Sequence, residues 1–100
     1  GHIVESMTFK LKFGQAKPAC AIWRKIMDMS KGNGFPMRLY TDITGDSYTM
    51  VVEMWYESMM EYGPHQHAWM TNDLLREQYA LFVPLCEGSR RTLYKVEHVV

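Results

Sequence analysis

Three groups of residues in this chain have types and spacing that could do chemistry. The first is His65-Gln66-His67, with Glu61 one helical turn ahead of it. Residues two apart on a helix point to nearly opposite sides, so the two histidines could share an ion only in an extended segment. Glu61 and His65, four apart, do share a helix face, but two ligands fall short of the three or four protein ligands a zinc ion takes. The plainer reading is a solvated, kinked helix with both histidines exposed, and no metal is expected. The second group is Glu53 and Trp55, with Arg38, Tyr40 and Tyr94 as the other borders of a ligand pocket. A buried carboxylate beside aromatic rings can work as a base with a raised pKa. The plainer alternative packs Trp55 into a dimer interface and pairs Glu53 with Arg38 or Lys12. The third group is Cys20 and Cys86. They lack C-x-x-C spacing, two cysteines make no disulfide framework, and both fall in apolar stretches read as helical. Reduced, packed thiols are expected rather than nucleophiles. There is no G-x-S-x-G, P-loop or dinucleotide fingerprint, so no cofactor is expected.

Bulk properties narrow the classes further. One hundred residues, 47% hydrophobic and 22% charged, suit one globular domain spanning 1–100. Eleven basic residues balance eleven acidic ones, and the longest basic run is Arg90-Arg91, which argues against a nucleic-acid partner. No apolar run approaches the roughly 18 residues needed to span a membrane, and no signal-like segment opens the chain. A cytoplasmic protein is expected. Gly1-His2 has the look of a cleavage remnant, so His2 carries no weight. Nine methionines and thirteen aromatics are many for this length, and such side chains line adaptable cavities and interfaces.

These candidates need elements to position them. Met7, Phe9, Leu11 and Phe13 alternate with Thr8, Lys10 and Lys12, which predicts a strand closed by Gly14. Pro18 suits the first turn of a helix whose stripe is Ala19, Ile22, Trp23, Ile26 and Met27, stopped by Lys31-Gly32-Asn33-Gly34. Met37 to Ile43 and Tyr48 to Tyr56 read as a hairpin turning at Thr44-Gly45-Asp46-Ser47. Ser58-x-x-Glu61 matches a capping box, and Gly63-Pro64 predicts a kink or a break soon after. Thr71-Asn72-Asp73 offers a new N-cap for a stripe of Leu74, Gln78, Leu81, Phe82 and Leu85, ended by Gly88. Arg91 to Val99 reads as the last strand.

The order β-α-β-β-α-β predicts an α+β, ferredoxin-like fold, with a four-stranded antiparallel sheet and its helices on one face. With Phe9, Leu11, Met37, Leu39, Met50, Val52 and Met54 facing the helices, the other face carries Lys10, Lys12, Arg38, Tyr40, Asp42, Thr49, Val51, Glu53 and Trp55. That mixture of charged, aromatic and apolar groups suits an interface or a partly wet cavity better than open solvent.

"VVEMWYESMMEY" and "LFVPLCEGSRRTLYKVE" resemble the dimeric α+β barrel superfamily, and within it the NIPSNAP-like branch. The likeness is carried by Val51, Val52, Glu53, Glu57 and Ser58, then Pro84, Leu85, Glu87, Gly88, Ser89, Arg90 and Tyr94. It implies a homodimer whose sheets face each other, and a small-molecule cavity between sheet and helices or inside the barrel. The expected function is a homodimeric small-molecule-binding or structural domain without its own catalysis; the alternative, since some members of the superfamily are cofactor-independent monooxygenases, is such an oxygenase acting on an aromatic or quinone-like substrate. The haem-degrading members of that superfamily use an Asn on the first strand, and a Trp and a His ten residues apart. Here no Asn lies between Met7 and Phe13, and Tyr79 stands ten residues after Trp69, which argues against haem chemistry.

Overall fold

The computed structural model describes residues 2–32 and 34–100. Gly1, and the Asn33 of the expected helix stop, lie outside the described residues. The chain runs β1 (Ile3–Leu11), α1 (Ala16–Met29), β2 (Met37–Thr41), β3 (Thr49–Tyr56), α2 (Met59–Thr71), α3 (Asp73–Phe82), a 3-10 turn (Val83–Leu85) and β4 (Cys86–Lys95). The strands form one antiparallel sheet in the order β2-β3-β1-β4, so β1 is flanked on both sides and β4 is an edge. This is the ferredoxin-like order the sequence predicts.

Alternation dictates which side is covered. Glu5, Met7, Phe9 and Leu11 of β1 and Met50, Val52 and Met54 of β3 are buried under the helices. From α1, Ala19, Trp23 and Ile26 fill that layer at helical spacing; Leu75 and Phe82 join them from α3. The Phe9 and Phe82 rings meet edge to face at 4.8 Å, and Trp23 lies against both. Each such large side chain contributes about 1.5–3 kcal/mol by leaving water.

Several boundaries differ from the sequence reading. β1 starts four residues before Met7, because an inward-facing carboxylate, Glu5, interrupts the apolar alternation there. Phe13 lies beyond the strand, 86% exposed, stacked loosely on Tyr48. Ile43 is also outside its expected strand, since β2 ends at Thr41 and Asp42 turns its carboxylate to the Thr49 N–H at 3.0 Å. The helix after Ser58 is not broken at Gly63-Pro64: α2 runs through Pro64 to Thr71. Pro64 removes one backbone donor from the ladder, and the remaining turns on either side hold the helix. The break comes at Asn72, whose side chain accepts the Leu75 N–H at 3.1 Å and caps α3 as expected. The capping box does not form: the Ser58 side chain makes no cap bond, and Glu61 accepts from the Glu57 N–H at 3.1 Å, one residue before the cap, rather than from that of Ser58. Gly88 does not end a helix but lies in β4, which begins at Cys86 and ends at Lys95 rather than running from Arg91 to Val99.

Candidate functional site

The buried polar centre of the molecule is Glu5, on the helix-facing side of the middle strand. It is 1% exposed. Isolated carboxylates do not survive such burial, so the partners decide whether the position is structural or reactive. Tyr62 of α2 donates its hydroxyl to Glu5 Oε2 at 2.8 Å, and Arg91 Nε of β4 lies 3.2 Å from the same oxygen. Glu5 Oε1 is held more loosely, by the Tyr56 hydroxyl at 3.4 Å and Gln66 Nε2 at 3.5 Å. Burial, reinforced by the Glu5 charge, raises the Tyr56 phenol well above its ordinary value. Burial also raises that of Tyr62, followed by its hydrogen bond to Glu5. Both phenols therefore stay protonated: Tyr62 donates to the carboxylate, and the single proton of Tyr56 is shared between Glu5 Oε1 and Met54 Sδ, which lies at 2.9 Å.

Glu5 opens on one side to a cavity of about 530 Å³ between the sheet and the helices. Trp23, Trp69 and Tyr79 supply aromatic walls, methionines supply soft ones, and Arg76 and Arg91 supply charge. The rings are mutually braced: Trp69 meets Tyr79 nearly at right angles, and Trp23 does the same. Burial raises the Tyr79 phenol too, ahead of the nearby Cys86 thiol, while Arg91 opposes the shift. The size suits a compact small molecule, and the wall pattern, mostly apolar with a few polar groups at one end, is that of a ligand site. Among the described residues, no group of three or more His, Cys, Asp and Glu side chains is placed to hold a metal ion.

The residues singled out from the sequence lie on the other face of the sheet. Register places Arg38 opposite Glu53, and Tyr40 opposite Val51, across β2 and β3. Val4 of β1 stands between Trp55 of β3 and Tyr94 of β4. Four of the five are knit together. Glu53 Oε1 accepts from Trp55 Nε1 at 2.8 Å and from the Tyr40 hydroxyl at 3.3 Å, and the Arg38 guanidinium sits 6.0 Å from the Trp55 ring centre. Tyr94 shares the face two strands away. None of the five lines the helix-side cavity. Glu53 is not ion-paired with Arg38 or Lys12; its partners among the described residues are the indole and the phenol. Tyr40 and Val51 instead border a separate open hollow of about 560 Å³ on this outer face, with Lys10 and Arg90.

His65 is buried, not exposed, wedged between Phe35 and Tyr56 with ring centres at 4.6 and 5.3 Å. Its Nε2 has no hydrogen-bond partner among the described residues, and burial lowers its pKa, partly offset by the charge of Glu5. His67 is exposed on the opposite side of α2. Glu61, the histidine's supposed co-ligand, spends its carboxylate on the Glu57 N–H. Both cysteines are free and half-buried, though Cys86 opens a strand rather than lying in a helix. Burial raises the Cys86 thiol, which keeps it protonated and a poor nucleophile.

The sequence carried one signal for Glu5: a charged residue in the run Ile3-Val4-Glu5-Ser6-Met7, in phase with Met7, Phe9 and Leu11. An inward-pointing carboxylate on a strand asks for partners. Arg91 and Tyr62 could be identified only once pairing across β1 and the seat of α2 were known.

No family model and no curated protein sequence matches this chain. Solved structures do. A NIPSNAP-like domain protein of Burkholderia xenovorans superposes with a TM-score of 0.86 at 12% identity, covering 99% of this chain and 89% of the other. A NIPSNAP family protein of Agrobacterium tumefaciens gives 0.83 at 12% identity, over 95% and 92%. SnoaB, a cofactor-independent oxygenase from Streptomyces nogalater, gives 0.74 at 10% identity, over 99% and 96%. The chain thus has the fold shared by NIPSNAP-domain proteins and this oxygenase, in agreement with the resemblance read from its sequence.

Proposed function

We propose that this chain is a small-molecule-binding domain that works as a homodimer, with its ligand in the helix-side cavity. The observation that carries the binding reading is the buried Glu5 cluster at the polar end of an aromatic-walled cavity of about 530 Å³. Pairing is supported by the outer face. There Val51 and Trp55 are only half covered within the chain, and Tyr40 and Tyr94 are more exposed still, so apolar and aromatic surface is left for a partner. On this reading Arg38, Tyr40, Glu53, Trp55 and Tyr94 lie at or inside the dimer contact, where a second ligand surface could form. Two free thiols fit a cytoplasmic location. Among the described residues, no helix is long and apolar enough to cross a membrane. Crystals soaked with a fragment mixture test the binding reading: ordered density against Glu5 and Trp69 is expected, and a cavity that stays free of fragments at millimolar concentrations would count against it.

A second reading, cofactor-independent oxygenation of an aromatic or quinone-like substrate, is favoured by one observation. Glu5, which borders the aromatic-walled cavity, holds its Oε1 only through contacts of 3.4–3.5 Å to Tyr56 and Gln66, weak enough to give way to the hydroxyl of a phenolic substrate. Removing the proton of that hydroxyl makes the substrate electron-rich enough to reduce oxygen directly. Oxygen uptake with a panel of quinols and polyphenols, lost in Glu5→Gln, is the expected result; uptake equal in the two proteins would exclude Glu5 as the base.

A further inference from the structure

We infer that the ligand of the helix-side cavity is a planar aromatic acid, bound as its anion against Arg76 and Arg91; this rests on the cavity being a binding site. The charged groups in the cavity wall are one carboxylate, Glu5, and two guanidiniums. Glu5 is already committed, with Tyr62 and Arg91 on one oxygen and Gln66 and Tyr56 near the other. Arg91 offers only its Nε to Glu5, and one terminal nitrogen rests 4.0 Å from Met7 Sδ. A guanidinium carries five N–H donors, so even with Glu5, Tyr62 and Met7 beside it Arg91 has donor capacity left for something else. Arg76 projects from α3 and has no ion-pair partner among the described residues. The cavity wall therefore holds one positive charge in excess, on a side chain type whose planar fork matches a carboxylate.

The other walls fix the body of the ligand. Trp23, Trp69 and Tyr79 present ring surfaces, and Met7, Met54 and Met70 present polarisable thioethers that pack well against aromatic rings. Gln66 adds an amide donor on the Glu5 side. A cationic ligand would have to displace Arg91 from Glu5 and would meet Arg76 as a like charge. A neutral aromatic would fill the walls and leave both guanidiniums unused. An aromatic carboxylate uses both halves of the cavity.

Calorimetric titration with three probes of one shape tests this: 1-naphthoate, 1-naphthylmethanol and 1-naphthylmethylammonium at neutral pH. Naphthoate should bind at least about tenfold more tightly than the alcohol, as expected for a charge-assisted contact that is partly exposed. Arg76→Gln, on an exposed helix position, should keep the melting temperature and remove most of that preference. Arg91→Gln should do the same for binding, with some loss of stability because Glu5 loses a partner. Equal binding of naphthoate and the alcohol would overturn the anion preference while leaving the cavity as a ligand site. Tighter binding of the ammonium would overturn it too, as would a naphthoate preference that neither Arg variant changes. Failure of all three probes to bind would sink both this inference and the binding reading beneath it.

Discussion

The Tyr62 hydroxyl donates to Glu5 Oε2 at 2.8 Å across 57 residues of sequence, tying α2 to the central strand through a carboxylate that water scarcely reaches. The bond joins the floor of the cavity to one of its helical walls. It also makes the seat of α2 depend on a polar contact, since His65 is the one residue of that helix that counts as buried.

Removing the acceptor should therefore loosen α2. Glu5→Gln keeps the shape but trades a carboxylate for an amide, and leaves Arg91 without a counter-charge. Because Arg91 is more than half exposed, its charge can turn to water, so the cost is held to about 1–3 kcal/mol. Urea unfolding should show a lower midpoint with an unchanged slope. Tyr62→Phe should cost less, and a midpoint equal to wild type in both variants would mean the cluster adds nothing to stability.

His65 makes folding pH-dependent in a defined direction. Burial lowers its pKa in the folded chain below the value of about 6.5 it has when unfolded. The folded state therefore binds the proton less readily than the unfolded one. Its contribution is intact above the unfolded pKa and is lost as pH falls through the folded one. Between about pH 7 and 5 the wild-type melting temperature should drop more than that of His65→Phe, which keeps a ring against Phe35 and Tyr56 but cannot titrate. The other charges facing the ring are few, with Glu5 the one that shifts it upward. Parallel pH profiles for the two proteins would show that His65 does not titrate over this range.

Asn72 holds the corner where one helix ends and the next begins. Its side chain satisfies the Leu75 N–H, and no other cap serves that end of α3. Asn72→Ala should lower stability by about 0.5–2 kcal/mol, and Asn72→Ser or Asn72→Asp should recover most of it. A silent Asn72→Ala would mean that packing of Leu75 and Phe82 alone sets where α3 starts.

Strands and helices were legible in the sequence where apolar side chains repeat with one period, as in Phe9-x-Leu11 and Ala19–Trp23–Ile26. The sheet order followed from element order. The cap at Asn72 was legible because a short polar side chain before an apolar stripe has one economical use. Glu5 was hidden by the same rule that revealed β1: a carboxylate on the apolar side looks like the end of the pattern. The burial of His65 is not legible in the sequence, because Pro64 points to a broken, solvated helix. In the folded chain α2 continues through the proline and turns His65 inward onto Tyr56, a contact set by the tertiary seat of the helix and not by local propensity. Arg38, Tyr40, Glu53, Trp55 and Tyr94 do share one face of the sheet, but alternation alone cannot say whether a face meets ligand, partner or water.

The outer face can be put to a direct test at Val51, which stands opposite Thr8 and Tyr40 in the middle of the sheet. A two-fold contact is isologous, so a single substitution acts twice. Val51→Asp would bring two like charges together at the centre of the proposed contact, at a cost of several kcal/mol where water is excluded. Within one chain the same change touches none of the buried core, because Val51 points away from α1 and α3. Sedimentation should therefore find a dimer for the wild type at micromolar concentration and a folded monomer, or insoluble protein, for Val51→Asp. His67→Ala, on the far side of the molecule, should leave both assembly and melting temperature unchanged. A stable dimer of Val51→Asp would mean that this face is open to water, and any pairing of the chain would have to use another surface.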